Sequence, residues 1–122
     1  MTPGPDTVLL VEDGPDLGPL LRDTLEEWNR RVVLARSGGE ALEVLGREKV
    51  VLMLLDHGLP DMSAGELVAR LRGEQRQVPP LVLMTAHPQL RIDRWPELLA
   101  VLEKPFELSE LAALLDRQLP PR

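Results

Sequence analysis

Cysteine is absent from the 122 residues, which removes disulfides, thiolate metal sites and cysteine nucleophiles at once. Tyrosine is absent too. The only aromatic residues are Trp28, Trp95 and Phe106, and the two tryptophans read as packing or partner-surface residues, not as cofactor platforms. With His57 and His87 as the only histidines, a three-nitrogen zinc site cannot be assembled in one chain. No run of about eighteen uncharged apolar residues occurs, and Met1-Thr2-Pro3-Gly4-Pro5-Asp6 lacks the basic and apolar regions of a secretory signal. The expectation is a cytoplasmic chain that does not enter a membrane. Positive charge is in deficit: 14 Lys and Arg against 20 Asp and Glu, a net charge of -6, disfavour direct contact with nucleic acid or an anionic membrane. Lysine is the scarcest of these, present only as Lys49 and Lys104.

What is present is an alternation of apolar runs and helical patterns from one end to the other, which calls for parallel pairing in a doubly wound α/β sheet. A length of 122 residues with 43% hydrophobic content suits one domain with one core. Five β/α units can be read. Thr7 to Val11 forms strand one, and Leu17, Leu20, Leu21, Leu25 and Trp28 mark the buried stripe of the helix that follows. Val32 to Ala35 is a short second strand. Ser37-Gly38-Gly39-Glu40 then has the pattern of a capping box ahead of Ala41, Leu42 and Leu45. Strand three is Val50 to Leu55, and Ser63-Ala64-Gly65-Glu66 repeats the cap ahead of Leu67, Val68 and Leu71, with Gly73 and Pro79-Pro80 marking the return. Strand four is Leu81 to Met84, followed by a short helical stretch interrupted by Pro88 and Pro96. Ala100 to Leu102 gives strand five, and a last helix runs from about Ser109 to Arg117 before Pro120-Pro121. The prediction is a five-stranded parallel sheet with about five helices.

The chemistry gathers at strand ends. Strand one runs into Glu12-Asp13, strand three into Asp56 and the loop His57-Gly58-Leu59-Pro60, strand four into Thr85, and strand five into Glu103-Lys104-Pro105. Open α/β sheets bind ligands beyond the carboxyl ends of their strands, so in a parallel sheet these groups converge. Taken singly each has a plain reading: Asp13 as a helix cap, Asp56 as a turn residue, Thr85 as a backbone-bonded hydroxyl, Lys104 as a surface charge. Their joint placement favours a site. Like charges ~4 Å apart at an effective dielectric near 20 repel by about 4 kcal/mol per pair, so gathered carboxylates need a cation. Oxygen-only ligands in an incomplete set suit Mg2+, which keeps waters and leaves coordination for a phosphate oxygen. Beside such an ion an aspartate can act as a nucleophile toward phosphorus.

Glu12-Asp13, Asp56-His-Gly-Leu-Pro60-Asp-Met62, Thr85-Ala86 and Lys104-Pro105-Phe106, in this order, resemble the receiver domain of two-component response regulators from about Thr7 to Arg117. The resemblance implies a flavodoxin-like sheet ordered 2-1-3-4-5, with Asp56 as phosphoacceptor for a histidine kinase or phosphotransfer protein. It further implies that Asp13 binds Mg2+ directly, Glu12 through water, and the Gly58 carbonyl and Asp56 complete the protein ligands. Thr85 closes on the phosphoryl oxygen, Lys104 pairs with it, and Pro105 follows a cis peptide. The expected role is that of a phosphoacceptor and not an enzyme in the wider sense, signalling to a downstream protein target, with residues 1–122 forming a single receiver domain (core about 7–117) and no output domain.

The departures from the family concern the switch. Val101 stands three positions before Lys104, where an aromatic residue is common; Ala64 replaces the usual glycine of the loop; Gly58 and His87 occupy positions that tune dephosphorylation. These substitutions motivate a first alternative, a receiver-like interaction module that works without phosphorylation. A second is a phosphatase of the haloacid dehalogenase type with an aspartate nucleophile, but such enzymes carry an Asp two residues after it, and Gly58 stands there.

Overall fold

The computed structural model describes residues 6–88 and 95–119. Five strands and four helices are formed among them: β1 (Thr7–Val11), α1 (Leu17–Glu27), β2 (Arg31–Ala35), α2 (Gly38–Arg47), β3 (Val50–Asp56), α3 (Ala64–Gly73), β4 (Leu81–Thr85), β5 (Leu98–Glu103) and α4 (Leu108–Gln118). All strand pairs are parallel, in the order β2-β1-β3-β4-β5, so the doubly wound, flavodoxin-like architecture stands. The helix count is four where about five were expected. The expected short helical stretch between β4 and β5 falls largely on residues 89–94, outside the described residues, as does Pro120-Pro121; Pro88 and Pro96 sit in turns. No described helix is long and apolar enough to cross a membrane.

The apolar runs are buried on both faces, as a sheet covered by helices on each side requires. Leu9, Val11, Met53, Leu55, Leu81 and Leu83 pack with Ala41 and Val44 of α2 and with Leu67, Val68 and Leu71 of α3. The alternate residues Val8, Leu10, Leu52, Leu54, Val82 and Met84 pack on the other face with Leu21 and Leu25 of α1 and with Leu111, Leu114 and Leu115 of α4. Each such fully buried aliphatic side chain contributes about 1.5–3 kcal/mol, and the three central strands supply most of them.

One local expectation needs correction. Leu20 is 54% exposed and not part of the stripe of α1, because at about 100° per residue it lies well off the arc that carries Leu21 and Leu25. Trp28, the residue that caps the end of α1, packs against the core with Leu21 and Leu25, and the chain leaves through Asn29 at φ 63°, a conformation Asn tolerates. α3 ends at Gly73, as expected, and Gln75 at φ 56° takes the left-handed position after that helix. The two sequence-level caps are formed: Ser37 Oγ accepts from Glu40 N–H and Ser63 Oγ from Glu66 N–H, both at 3.1 Å.

Gly38 opens α2 against a neighbour that leaves no room for a side chain. A Cβ there would lie 2.4 Å from Met62 Cγ and Sδ, and Met62 is buried. Gly38→Ala is therefore expected to destabilise the protein by about 1–3 kcal/mol through overpacking, outweighing any gain in helix propensity. In a Met62→Ala background the same change should cost much less, which a urea-unfolding double-mutant cycle measures.

Candidate functional site

Strand order places a switch point between β1 and β3, since the chain winds outward from them in opposite directions. Val11 pairs with Leu55, so Glu12 and Asp56 follow side by side at adjacent strand ends. On the other side Asp56 pairs with Met84, Thr85 with Glu103, and Lys104 follows. Backbone hydrogen bonds hold these ends in step: Glu12 N–H donates to the Ala35 carbonyl, His57 N–H to Met84 and Lys104 N–H to Thr85, at 2.8–3.0 Å. The expected residues Glu12, Asp56, Thr85 and Lys104 thus lie on one rim of the sheet.

Lys104 Nζ donates to Glu12 Oε1 at 2.7 Å and to Asp56 Oδ1 at 3.0 Å. The second oxygen of Glu12 accepts from Gly14 N–H at 2.9 Å, so both of its oxygens are engaged. Carboxylate oxygens of Glu12, Asp13 and Asp56 all lie within 4.8 Å of one another. Glu12 and Asp56 are buried and Asp13 is exposed at the mouth. Thr85 is buried, its Oγ1 accepting from His87 N–H at 3.0 Å. Gly58 makes an isolated antiparallel bridge with Ser63. The Lys104–Pro105 peptide is cis.

One ammonium serves three carboxylates, and the titration behaviour follows from that shortage. Burial raises the Asp56 carboxyl above its ordinary range; the hydrogen bond from Lys104 opposes this, and the nearby charges of Glu12 and Asp13 add to the rise. Burial pulls Lys104 down, but its hydrogen bonds to Glu12 and Asp56 outweigh that and hold it above its ordinary value. The lysine is well compensated and the aspartate is not, as expected where one cation is divided between two buried anions with a third nearby. An oxygen-only cluster with excess negative charge, open on the Asp13 side, fits a hard divalent cation.

Sequence reasoning missed Asp61 and the groove beside Lys104. Asp61 Oδ1 and Oδ2 accept from the N–H groups of Gly38 and Gly39 at 2.9 and 3.0 Å, and these bonds lower its carboxyl below the usual range. The available signal was the start of α2 itself, whose first N–H groups have no acceptor within the helix. The groove, about 390 Å³ and mostly apolar, runs from Leu17 and Leu20 of α1 past Lys104 and Phe106 to Leu108 of α4.

The sequence profile of the family described as the response regulator receiver domain matches residues 8–116. The chain is similar to the transcriptional regulatory protein GlrR of Escherichia coli (strain K12), 39% identical over 87 residues that make up 71% of this chain and 19% of GlrR. It therefore spans about a fifth of that relative's length. Among solved structures, it resembles the receiver domain of the sensor histidine kinase PA1611 from Pseudomonas aeruginosa PAO1, described with a magnesium ion coordinated in the active site cleft. The TM-score is 0.78 at 26% identity, covering 94% of this chain and 98% of that one. The response regulator protein TrrA of Thermotoga maritima, in complex with Mg(2+)-BeF, gives 0.79 at 26% identity, covering 93% and 99%.

Proposed function

This chain belongs to the response regulator receiver domain family, and on that premise we propose that it accepts a phosphoryl group on Asp56 from a phosphohistidine of a histidine kinase or phosphotransfer protein. The observation that carries the reading is the bridging of Glu12 and Asp56 by Lys104 beside Asp13. In the transfer, an Asp56 carboxylate oxygen attacks phosphorus, the phosphorus–nitrogen bond of the donor breaks, and the imidazole leaves. Asp13, Asp56 and the Gly58 carbonyl would hold Mg2+ directly, and Glu12, with both oxygens already bonded, would hold it through water. Bound there, the ion neutralises charge on the transferring phosphoryl oxygens. The chain's own contribution is positioning: Lys104 turns from Asp56 to the phosphoryl group, and the Thr85 hydroxyl donates to it.

A protein donor and a protein target fit the surroundings better than a small substrate. The groove past Leu20 and Leu108 exposes apolar surface within reach of Lys104, the kind of surface a partner covers. Gly58 offers no side chain to act as acid or base two residues after Asp56, which favours a stable acceptor over a hydrolase. The reading places the chain in the cytoplasm with such partners.

Incubation of the purified protein with acetyl phosphate and Mg2+ should raise its intact mass by one phosphoryl group, and EDTA should prevent the rise. A folded sample whose mass stays unchanged overturns the reading.

A further inference from the structure

The loop after Asp56 is attached to the fold at two places. At its base Gly58 bridges Ser63, and Ala64 N–H donates to the His57 carbonyl at 3.3 Å. At its tip Asp61 places one carboxylate oxygen on each of the first two N–H groups of α2, those of Gly38 and Gly39, and Met62 beside it is buried against Gly38. Between these points Leu59 packs against the core, while Gly58, Pro60 and Asp61 are exposed and a Cβ on Gly58 would meet nothing within 4 Å. The path of residues 58–61 is therefore set by these attachments and by Leu59, and among them the Asp61 clamp is the charge-assisted one.

The helix does not depend on this clamp alone. Ser37 caps α2 internally through Glu40 N–H, and Glu40 reaches back to Arg36 N–H. Asp61 adds something different, a tie between elements 22 and 23 residues apart, and the element it fixes carries Gly58. We propose that Asp61 is a positioning residue: by clamping the loop to α2 it fixes the place of the Gly58 carbonyl and so sets the affinity of the acidic site for Mg2+. The inference rests on the reading of Glu12, Asp13, Asp56 and Gly58 as the magnesium ligands.

The test compares Asp61→Ala with Ser37→Ala in the full chain. Ser37→Ala removes a cap from the same helix end without releasing the loop. MgCl2 titrations followed by amide NMR should show Asp61→Ala weakening Mg2+ binding about tenfold, the scale on which residues that orient metal ligands act, while Ser37→Ala leaves it unchanged. Without metal, amides of residues 57–62 should exchange faster in Asp61→Ala and not in Ser37→Ala. Asp61→Asn, which keeps two acceptor-sized atoms but only one acceptor, should fall between, and it decides the matter if the alanine variant does not fold. Equal Mg2+ affinity in wild type and Asp61→Ala, or equal losses in Asp61→Ala and Ser37→Ala, overturns the clamp alone. A wild-type protein that shows no Mg2+-dependent shifts overturns the magnesium site and the clamp together.

Discussion

Asp56→Asn is expected to abolish the mass gain from acetyl phosphate and Mg2+ and, at the same time, to stabilise the metal-free protein by about 1 kcal/mol, the low end of what relieving a poorly compensated buried charge returns. The two effects have one cause. Asp56 is buried beside Glu12 and Asp13 with a share of a single ammonium, which makes it a costly charge to fold around and, on the proposed reading, the nucleophile toward an incoming phosphoryl group. Its carboxyl lies above the ordinary value in the folded state, so between about pH 4 and that raised value the native protein holds more protons than the unfolded one. Stability contributed by this group therefore falls as pH rises through that window. An asparagine side chain keeps an acceptor oxygen for Lys104 and carries no charge. Urea midpoints in EDTA, compared between wild type and variant from pH 4 to 7, should diverge in favour of the Asp56→Asn variant as pH rises; a less stable variant, or one that still gains mass, contradicts this account.

Lys104→Met should do the opposite in the absence of metal. The ammonium lies between two buried carboxylates, and removing one partner of a buried ion pair leaves uncompensated charge that costs about 3 kcal/mol. Methionine retains the apolar stem, so the loss reports charge and not packing. Added Mg2+ should recover much of this stability, since a cation returns to the same carboxylates. Phosphorylation with acetyl phosphate should still slow by about 100-fold, the usual loss when one preorganised donor to a developing anion is removed. Because Lys104 is held above its ordinary value when folded, its contribution is complete below about pH 10.4 and is lost as pH rises through the folded value; the variant should lack that alkaline loss. Chemical denaturation with and without MgCl2 reads both effects, and a metal-free variant as stable as wild type removes the claim that Lys104 compensates the site.

The contrast between the two variants separates, at one strand rim, the cation that compensates the site from the buried anion it compensates least. Neither depends on Val101, which is 38% exposed on β5 in register with Leu83.

The strands and the inventory of reactive groups were legible in the residues alone. Runs such as Val51-Leu52-Met53-Leu54-Leu55 and Leu81-Val82-Leu83-Met84 are apolar at every position because both faces of a parallel sheet are covered, and a carboxylate, hydroxyl or ammonium after such a run can only lie at the sheet's rim. Ser37 and Ser63 announced their helices because a cap acts within four residues. Pairings beyond that range came from the packing of the whole chain. Lys104 selects Glu12 and Asp56 from positions 92 and 48 residues away, a choice set by strand order and register. Asp61 finds two glycine amides because the loop after β3 passes the start of α2. Periodicity and capping are local properties of a chain, whereas partners across the sheet exist only once the strands are in place.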